Sequence, residues 1–376
     1  MEAESVLFRQ STVFMTGFMK RNRAFLFWAA VAGLILVLIL SLILAVTAGT
    51  VPISAREVYG QILYQISGIR LKGLDSLGTG SIFDIVWTIR LPRVLMGCVV
   101  GMSLALSGVI MQATVQNPLA DPYILGLSSG ASLGATFSIM IGASAVFSGF
   151  LARTSIAFWG FLGSFLVSLA VFFLSSVGGR VTTSRMILSG VVMSSICSAF
   201  SNIIIYLNSD KSDIQSVTFW TFGSLSTATW EKLALPAAVL AVCLLYFITQ
   251  LRRINIMLLG DEAATTLGVN LSRTRKIYML ITSLLTAVVV CHCGIIGFVG
   301  LMIPHIARAI TGSDYRRLLP VATLVGGIFM IWADVVARFL VKGKEIPIGI
   351  ITSAVGAPVF LFIMLRNAYG FGGKDE

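Results

Sequence analysis

"GMSLALSGVIMQATVQNPLADPYILGLSSGASLGA", residues 101–135, reads in three parts. Two uncharged runs, 94–120 and 122–152, flank one aspartate, Asp121, set between Pro118 and Pro122. Proline lacks an amide donor, so the first turn of a helix tolerates it and the interior does not. An acid and two helix breakers inside an otherwise apolar run therefore place a turn at a membrane edge. The turn is expected at 117–122, with Asp121 meeting water or neighbouring donors. Pro118 and Pro122 would open the next helix, whose Gly126, Ser128, Ser129, Gly130 and Gly134 form a small-residue face for close packing.

The rest of the chain agrees with that setting. Of 376 residues, 57% are hydrophobic and 11% charged, and mean hydropathy is +0.94. A soluble domain is about one-quarter charged. A membrane-spanning helix needs about 20 mostly apolar residues. Further uncharged stretches cover 24–55, 154–179, 186–209 and 233–251. The fold class is therefore all-α, a polytopic membrane protein of about ten transmembrane helices. These are expected near 24–50, 86–112, 120–143, 154–178, 185–208, 233–251, 276–296, 297–311, 317–338 and 346–367. Residues 1–23 read as an N-terminal segment, 24–367 as one transmembrane domain and 368–376 as a tail. Lys20, Arg21 and Arg23 precede the first run as in a secretory signal, but that run is longer than a signal's apolar core, so an uncleaved span is expected. The third and eighth spans, short and rich in Gly and Pro, would suit an inverted repeat.

Charge sets the expected orientation. With the N-terminus inside, 16 of the 27 Lys and Arg residues fall on the cytoplasmic side, which also puts the C-terminus inside. Nucleic acid is not an expected partner, because no soluble basic domain exists to bind it. The five cysteines all sit in apolar runs, where they read as small buried residues rather than disulfides.

No GxxxxGK[ST] or HExxH occurs, and no catalytic residue and no resident metal are expected. Asp334 is the acid placed deepest in a span, as a proton-coupled carrier would require. Its plainer reading is a partner for Arg338, one helical turn on. The pattern left is a conduit driven by another subunit's energy. A proton-coupled secondary transporter is the alternative; a membrane enzyme or receptor would need a catalytic constellation or a receptor domain.

Residues 101–135, "GFVGLMIPHIARAITGSDYRRLLP" (297–320) and "EIPIGIITSAVGAPVFLFIMLR" (345–366) closely resemble the permeases of iron-chelate and cobalamin ABC importers, the FecCD-type family. "IRLPR" (89–93) and "LLGDEAATTLGV" (258–269) extend the resemblance from about residue 80 to 367. It implies a type II ABC importer in a bacterial or archaeal cytoplasmic membrane, moving ferric siderophore, heme or cobalamin by alternating access. Its partners would be a second permease copy, most simply in a homodimer, two cytoplasmic ATPase subunits, an extracytoplasmic substrate-binding protein and membrane lipid. This chain would bind no cofactor, and ATP and Mg would belong to the ATPase.

The resemblance also assigns residues. The cytoplasmic loop at about 252–276 would carry the ATPase coupling helix, formed by Leu259, Gly260, Asp261, Glu262, Ala263, Ala264, Leu267 and Gly268. Independently, Asp261 and Glu262 suit a helix's first turn and Gly268 its end. The adjacent Arg252, Arg253, Arg273, Arg275 and Lys276 read as lipid and topology contacts or as ATPase contacts. Arg90, Arg93 and Arg338 match positions that pair with glutamates of the binding protein; their plainer reading is snorkelling at span ends. Arg56, Arg70, Lys72, Lys342 and Lys344 would add to that patch or select an anionic chelate. Thr183 and Ser184 match the cytoplasmic gate, and Thr and Ser also suit the cap of the fifth span. "CHCG" (291–294) departs from the family's small apolar residues. Successive helical residues diverge by about 100°, so Cys291, His292 and Cys293 cannot converge on one ion. His292 alone is a possible pathway contact, with heme as the sharp case. His305, in the family pattern "PHIAR", reads as structural.

Overall fold

The computed structural model describes residues 2–49, 51–69, 78–142, 156–177, 183–208, 210–341 and 343–368, with side chains from Phe25 onward except at 142, 183, 363, 364 and 366–368. Arg70, Lys72, Lys342 and the 369–376 tail lie outside the described residues. The helices are α1 (Glu2–Thr47), α2 (Ala55–Ser67), α3 (Gly80–Val115), α4 (Leu127–Thr136), α5 (Ile156–Ser176), α6 (Thr183–Leu207), α7 (Lys211–Thr221), α8 (Trp230–Met257), α9 (Asp261–Thr266), α10 (Leu271–Cys293), α11 (Val299–Thr311), α12 (Tyr315–Phe339) and α13 (Ile348–Ala368). Seven are long and apolar enough to span a membrane, and α4, α11 and α13 carry shorter apolar runs. Each of these ten overlaps one of the ten expected spans, seven as full-length spans and three as shorter helices. The additional helices α2, α7 and α9 connect spans. α2 begins with a capping box in which Ser54 Oγ accepts from the Glu57 amide and Glu57 accepts from the Ser54 amide.

The long helix α3 is the hub. It is buried along most of its length and packs on α12, α10, α11 and α8. Glycines permit its closest approach. A Cβ on Gly101 would stand 2.1 Å from the Gly326 carbonyl oxygen, and one on Gly326 would stand 2.5 Å from that of Gly101. With no hydrophobic force between helices in lipid, such backbone contact supplies the van der Waals packing that holds spans together. The peripheral helices α6 and α8 instead present rows of exposed apolar side chains, among them Val191, Val242 and Leu245.

The turn at 117–122 forms, but the helix after it starts later than the prolines suggest. Pro122–Leu125 is a single 3-10 turn, capped by Asp121 accepting from the Tyr123 amide at 2.7 Å. Gly126 then takes φ 73°, and α4 runs only from Leu127. A left-handed residue cannot continue an α-helix, so the expected span at 120–143 is shortened by that glycine. The small-residue face is confirmed: a Cβ on Gly134 would lie 2.0 Å from the Trp159 carbonyl oxygen of α5. α11 likewise follows a left-handed residue, Phe298 at φ 68°. The two breaks meet, because Tyr123 Oη donates to the Ile296 carbonyl at 3.2 Å and accepts from its amide at 3.4 Å.

Candidate functional sites at the two ends of the bundle

One end carries α9. The helix forms where its sequence suggests, with Asp261 and Glu262 in its first turn and glycines of positive φ on both sides, Gly260 at 92° and Gly268 at 83°. Ala264 is fully buried beneath it, whereas Leu259 and Leu267 are 63% and 59% exposed. Exposed leucines beside a polar turn are an unpartnered apolar surface. Arg275 fixes the helix to the spans. Its guanidinium holds both Asp261 oxygens at 3.0 and 2.7 Å while Nε donates to the Thr114 carbonyl at 3.1 Å. Gln116 Nε2 donates to the Met257 carbonyl at 2.8 Å, and Asn255 bridges to Asp314 and the Tyr315 amide. The α9 turn is therefore wired to the ends of α3, α8, α10 and α12. A cleft of about 1040 Å³ opens beside it, lined by Phe172, Glu262, Thr265 and Lys276.

Thr183 and Ser184 are the first two helical residues of α6 at this same end, and Ser184 is exposed. Since helix conformation already includes Thr183, these two stand inside the first turn rather than at the cap. The Asp121 carboxyl in the 117–122 turn is pushed up to about 6 by burial, against the lowering effect of the Tyr123 amide.

The opposite end holds the three arginines. Arg90, Arg93 and Arg338 do not present free forks; they are 5%, 8% and 8% exposed. Arg93 places Nη2 at 2.7 Å and Nε at 3.0 Å from Asp334 Oδ1 and also pairs with Glu345. Arg338 Nε lies 3.2 Å from Asp334 Oδ2 and its Nη1 donates to the Ala48 carbonyl at 2.7 Å. Arg90 donates to the carbonyls of Val46, Thr47 and Val51. The sequence marks span ends but not that the C-terminus of α1 leaves its last carbonyls there as acceptors. Those carbonyls and Asp334 draw the guanidinium groups inward. Asp334, 1% exposed, is committed to two of them, in line with its reading as a partner of Arg338. Glu345, which sequence reasoning passed over, is the exposed member of the network.

Beside Glu345 opens a cavity of about 700 Å³ between α7, the start of α8, the end of α10 and the segment leading into α13. Cys291, His292 and Cys293 all line it, the two cysteines being buried. Among the described residues no three His, Cys, Asp or Glu side chains are grouped to hold a metal ion. His305 sits elsewhere, its ring edge-on to Phe360 at 6.3 Å between centroids.

A multi-span bundle with an exposed turn at one end and a cavity at the other fits the body of a membrane permease. The chain belongs to the FecCD transport family, whose profile matches residues 18–366. It is 38% identical to the hemin transport system permease protein HmuU of Yersinia pestis over 288 residues, covering 76% of this chain and 85% of that one. It is also 38% identical over 282 residues to the cobalamin import system permease protein BtuC of Halobacterium salinarum, covering 74% and 73%. Among solved structures, one described as a metal-chelate type ABC transporter in an inward-facing conformation superposes with a TM-score of 0.73. It is 30% identical, over 90% of this chain and 99% of that one.

Proposed function

We propose that this permease moves an iron chelate or cobalamin across a cytoplasmic membrane by ATP-driven alternating access. The observation that carries the reading is α9, a six-residue helix pinned by Arg275 to the ends of the spans, with Leu259 and Leu267 exposed beside it. Such a turn suits a cleft on a cytoplasmic ATPase, whose closure on ATP would be passed through Arg275 to α3 and α10. The α9 end is then cytoplasmic, as are both termini, and Thr183 and Ser184 act at the inner gate. A second copy completes the pathway, and lipid covers the remaining exposed spans. ATP and Mg act on the ATPase, and this chain supplies neither catalysis nor a cofactor site.

At the outer end, docking of a substrate-binding protein works by exchange. A carboxylate of the partner competes with Glu345 for Arg93, loosening the segment that leads into α13, with Arg90 and Arg338 holding α1 in place. The domain reading follows: 24–367 is one transport unit, with its coupling loop at 252–276. Reconstitution tests it. Uptake into vesicles should need ATP, the ATPase subunits and the binding protein. Uptake driven by a proton gradient alone would overturn the proposal.

A further inference from the structure

The cavity at the arginine end contains one group that neither the packing nor the ion network uses. α10 ends at Cys293, where Gly294 turns the chain at φ 71°. On this last turn Cys291, His292 and Cys293 all border the cavity; the two thiols are buried and His292 is the half-buried member. His292 Nδ1 stands 2.8 Å from the Val288 carbonyl oxygen, and the Cys291 thiol donates to that same oxygen at 3.1 Å. A carbonyl accepts only, so Nδ1 carries the proton and Nε2 keeps a lone pair. Both polar contacts of the ring, with the Val288 carbonyl and with Cys291 Sγ at 3.0 Å, lie at Nδ1. An imidazole held in this tautomer by a backbone carbonyl has the arrangement that metal-ligating histidines adopt.

We propose that His292 Nε2 is a coordination site for the metal of the cargo, and that the cargo class is a planar ferric macrocycle with an open axial position, a metalloporphyrin. This rests on the permease reading above. One imidazole cannot hold a bare ion, and among the described residues no group of three or more such ligands forms. It can complete a coordination sphere that a chelate leaves open. A hexadentate siderophore leaves none, whereas a porphyrin occupies four positions in a plane and leaves the axial ones free. The surroundings suit the rest of such a molecule. Phe219 and Trp220 offer apolar ring faces, and Lys232, anchored at 3.1 Å to the Thr227 carbonyl, offers an ammonium to edge carboxylates. The volume of about 700 Å³ lies in the range that accepts a ligand of that size. In the binding step an iron–nitrogen bond forms as a weak axial ligand such as water departs. No electron moves, and no proton is released, because Nε2 bears none.

The test is a titration of the full chain in lipid nanodiscs with ferric protoporphyrin, followed by absorption and electron paramagnetic resonance. The wild type should give a histidine-ligated ferric spectrum. His292→Ala should lose that spectrum and bind ferric protoporphyrin about tenfold or more weakly, with unchanged affinity for metal-free protoporphyrin. His292→Gly should regain the ligated spectrum when free imidazole is added. The chain has two histidines, and the other is seated against Phe360, so the assignment is unambiguous. Identical spectra for wild type and His292→Ala would overturn the proposal, as would an equal loss of metal-free porphyrin. So would a thiolate-type spectrum abolished by Cys291→Ser with Cys293→Ser. Those outcomes leave the permease reading intact, since ATP-dependent uptake tests it separately.

Discussion

Arg93 and Asp334 meet across 241 residues of chain, Nη2 to Oδ1 at 2.7 Å and Nε to the same oxygen at 3.0 Å, both side chains buried. The pair ties the start of α3 to the end of α12, and Arg338 binds the other carboxylate oxygen from within α12. Asp334 thus pairs with two buried guanidinium groups, and Glu345 supplies the second negative charge. Asp334→Ala should therefore cost roughly 3–5 kcal/mol, since breaking a buried pair strands the remaining charge. Thermal unfolding in detergent measures it. The double change Arg93→Met with Asp334→Leu should recover part of that loss, because it leaves one buried guanidinium, Arg338, without its carboxylate in place of two. A loss below about 1 kcal/mol for Asp334→Ala would mean that water enters the network.

At the other end, Arg275 and Asp261 form an ion pair of a different kind. Asp261 is about half exposed, so the pair adds only about 0.2–1 kcal/mol to stability. Its role under the proposed mechanism is mechanical, transmitting the motion of α9 to Thr114 and the base of α10. Arg275→Ala should leave the unfolding temperature almost unchanged and lower substrate-stimulated ATP hydrolysis severalfold in the reconstituted complex. Full coupling in the variant would remove Arg275 from that path.

The hub glycines give a sharper packing test. Gly101→Val puts side-chain atoms where the Gly326 carbonyl now stands, so α3 and α12 must separate. Overpacking of this sort costs about 1–3 kcal/mol. Gly97→Ala, one helical turn earlier, meets only the flexible end of Leu225 at 3.3 Å and should be nearly neutral. Thermal shifts of the two variants compared side by side decide it; equal shifts would show that the close approach is not specific.

These examples also show what sequence could reveal. Ten spans were legible because lipid imposes length and apolarity on each helix separately. The α9 turn was legible because its acids and glycines signal locally. The burial of Arg90, Arg93 and Arg338 was not, since it depends on carbonyls freed at the end of α1, more than 40 residues away from Arg90. The start of α4 was missed for a related reason. Proline was read as the opening of an α-helix, whereas the left-handed Gly126 behind it ends that first turn. His292 was visible as an oddity of composition, but only the fold shows which ring nitrogen is free and what it faces.

Asp121 gives a prediction in pH. Burial raises its folded-state pKa to about 6 from an ordinary value of 3.8, so the folded chain binds this proton more tightly than the unfolded chain. Its contribution to stability is accordingly greatest below about pH 4, falls as pH rises from about 4 to 6, and is constant above that. The difference is at most about 3 kcal/mol. Asn at this position keeps an oxygen to accept from the Tyr123 amide and carries no charge. Asp121→Asn should therefore be more stable than wild type at pH 7 and equal to it near pH 4. Denaturant unfolding at the two pH values measures the difference. A variant less stable than wild type at pH 7 would mean that the carboxylate is stabilised by its surroundings, and that the turn depends on its charge as well as its cap.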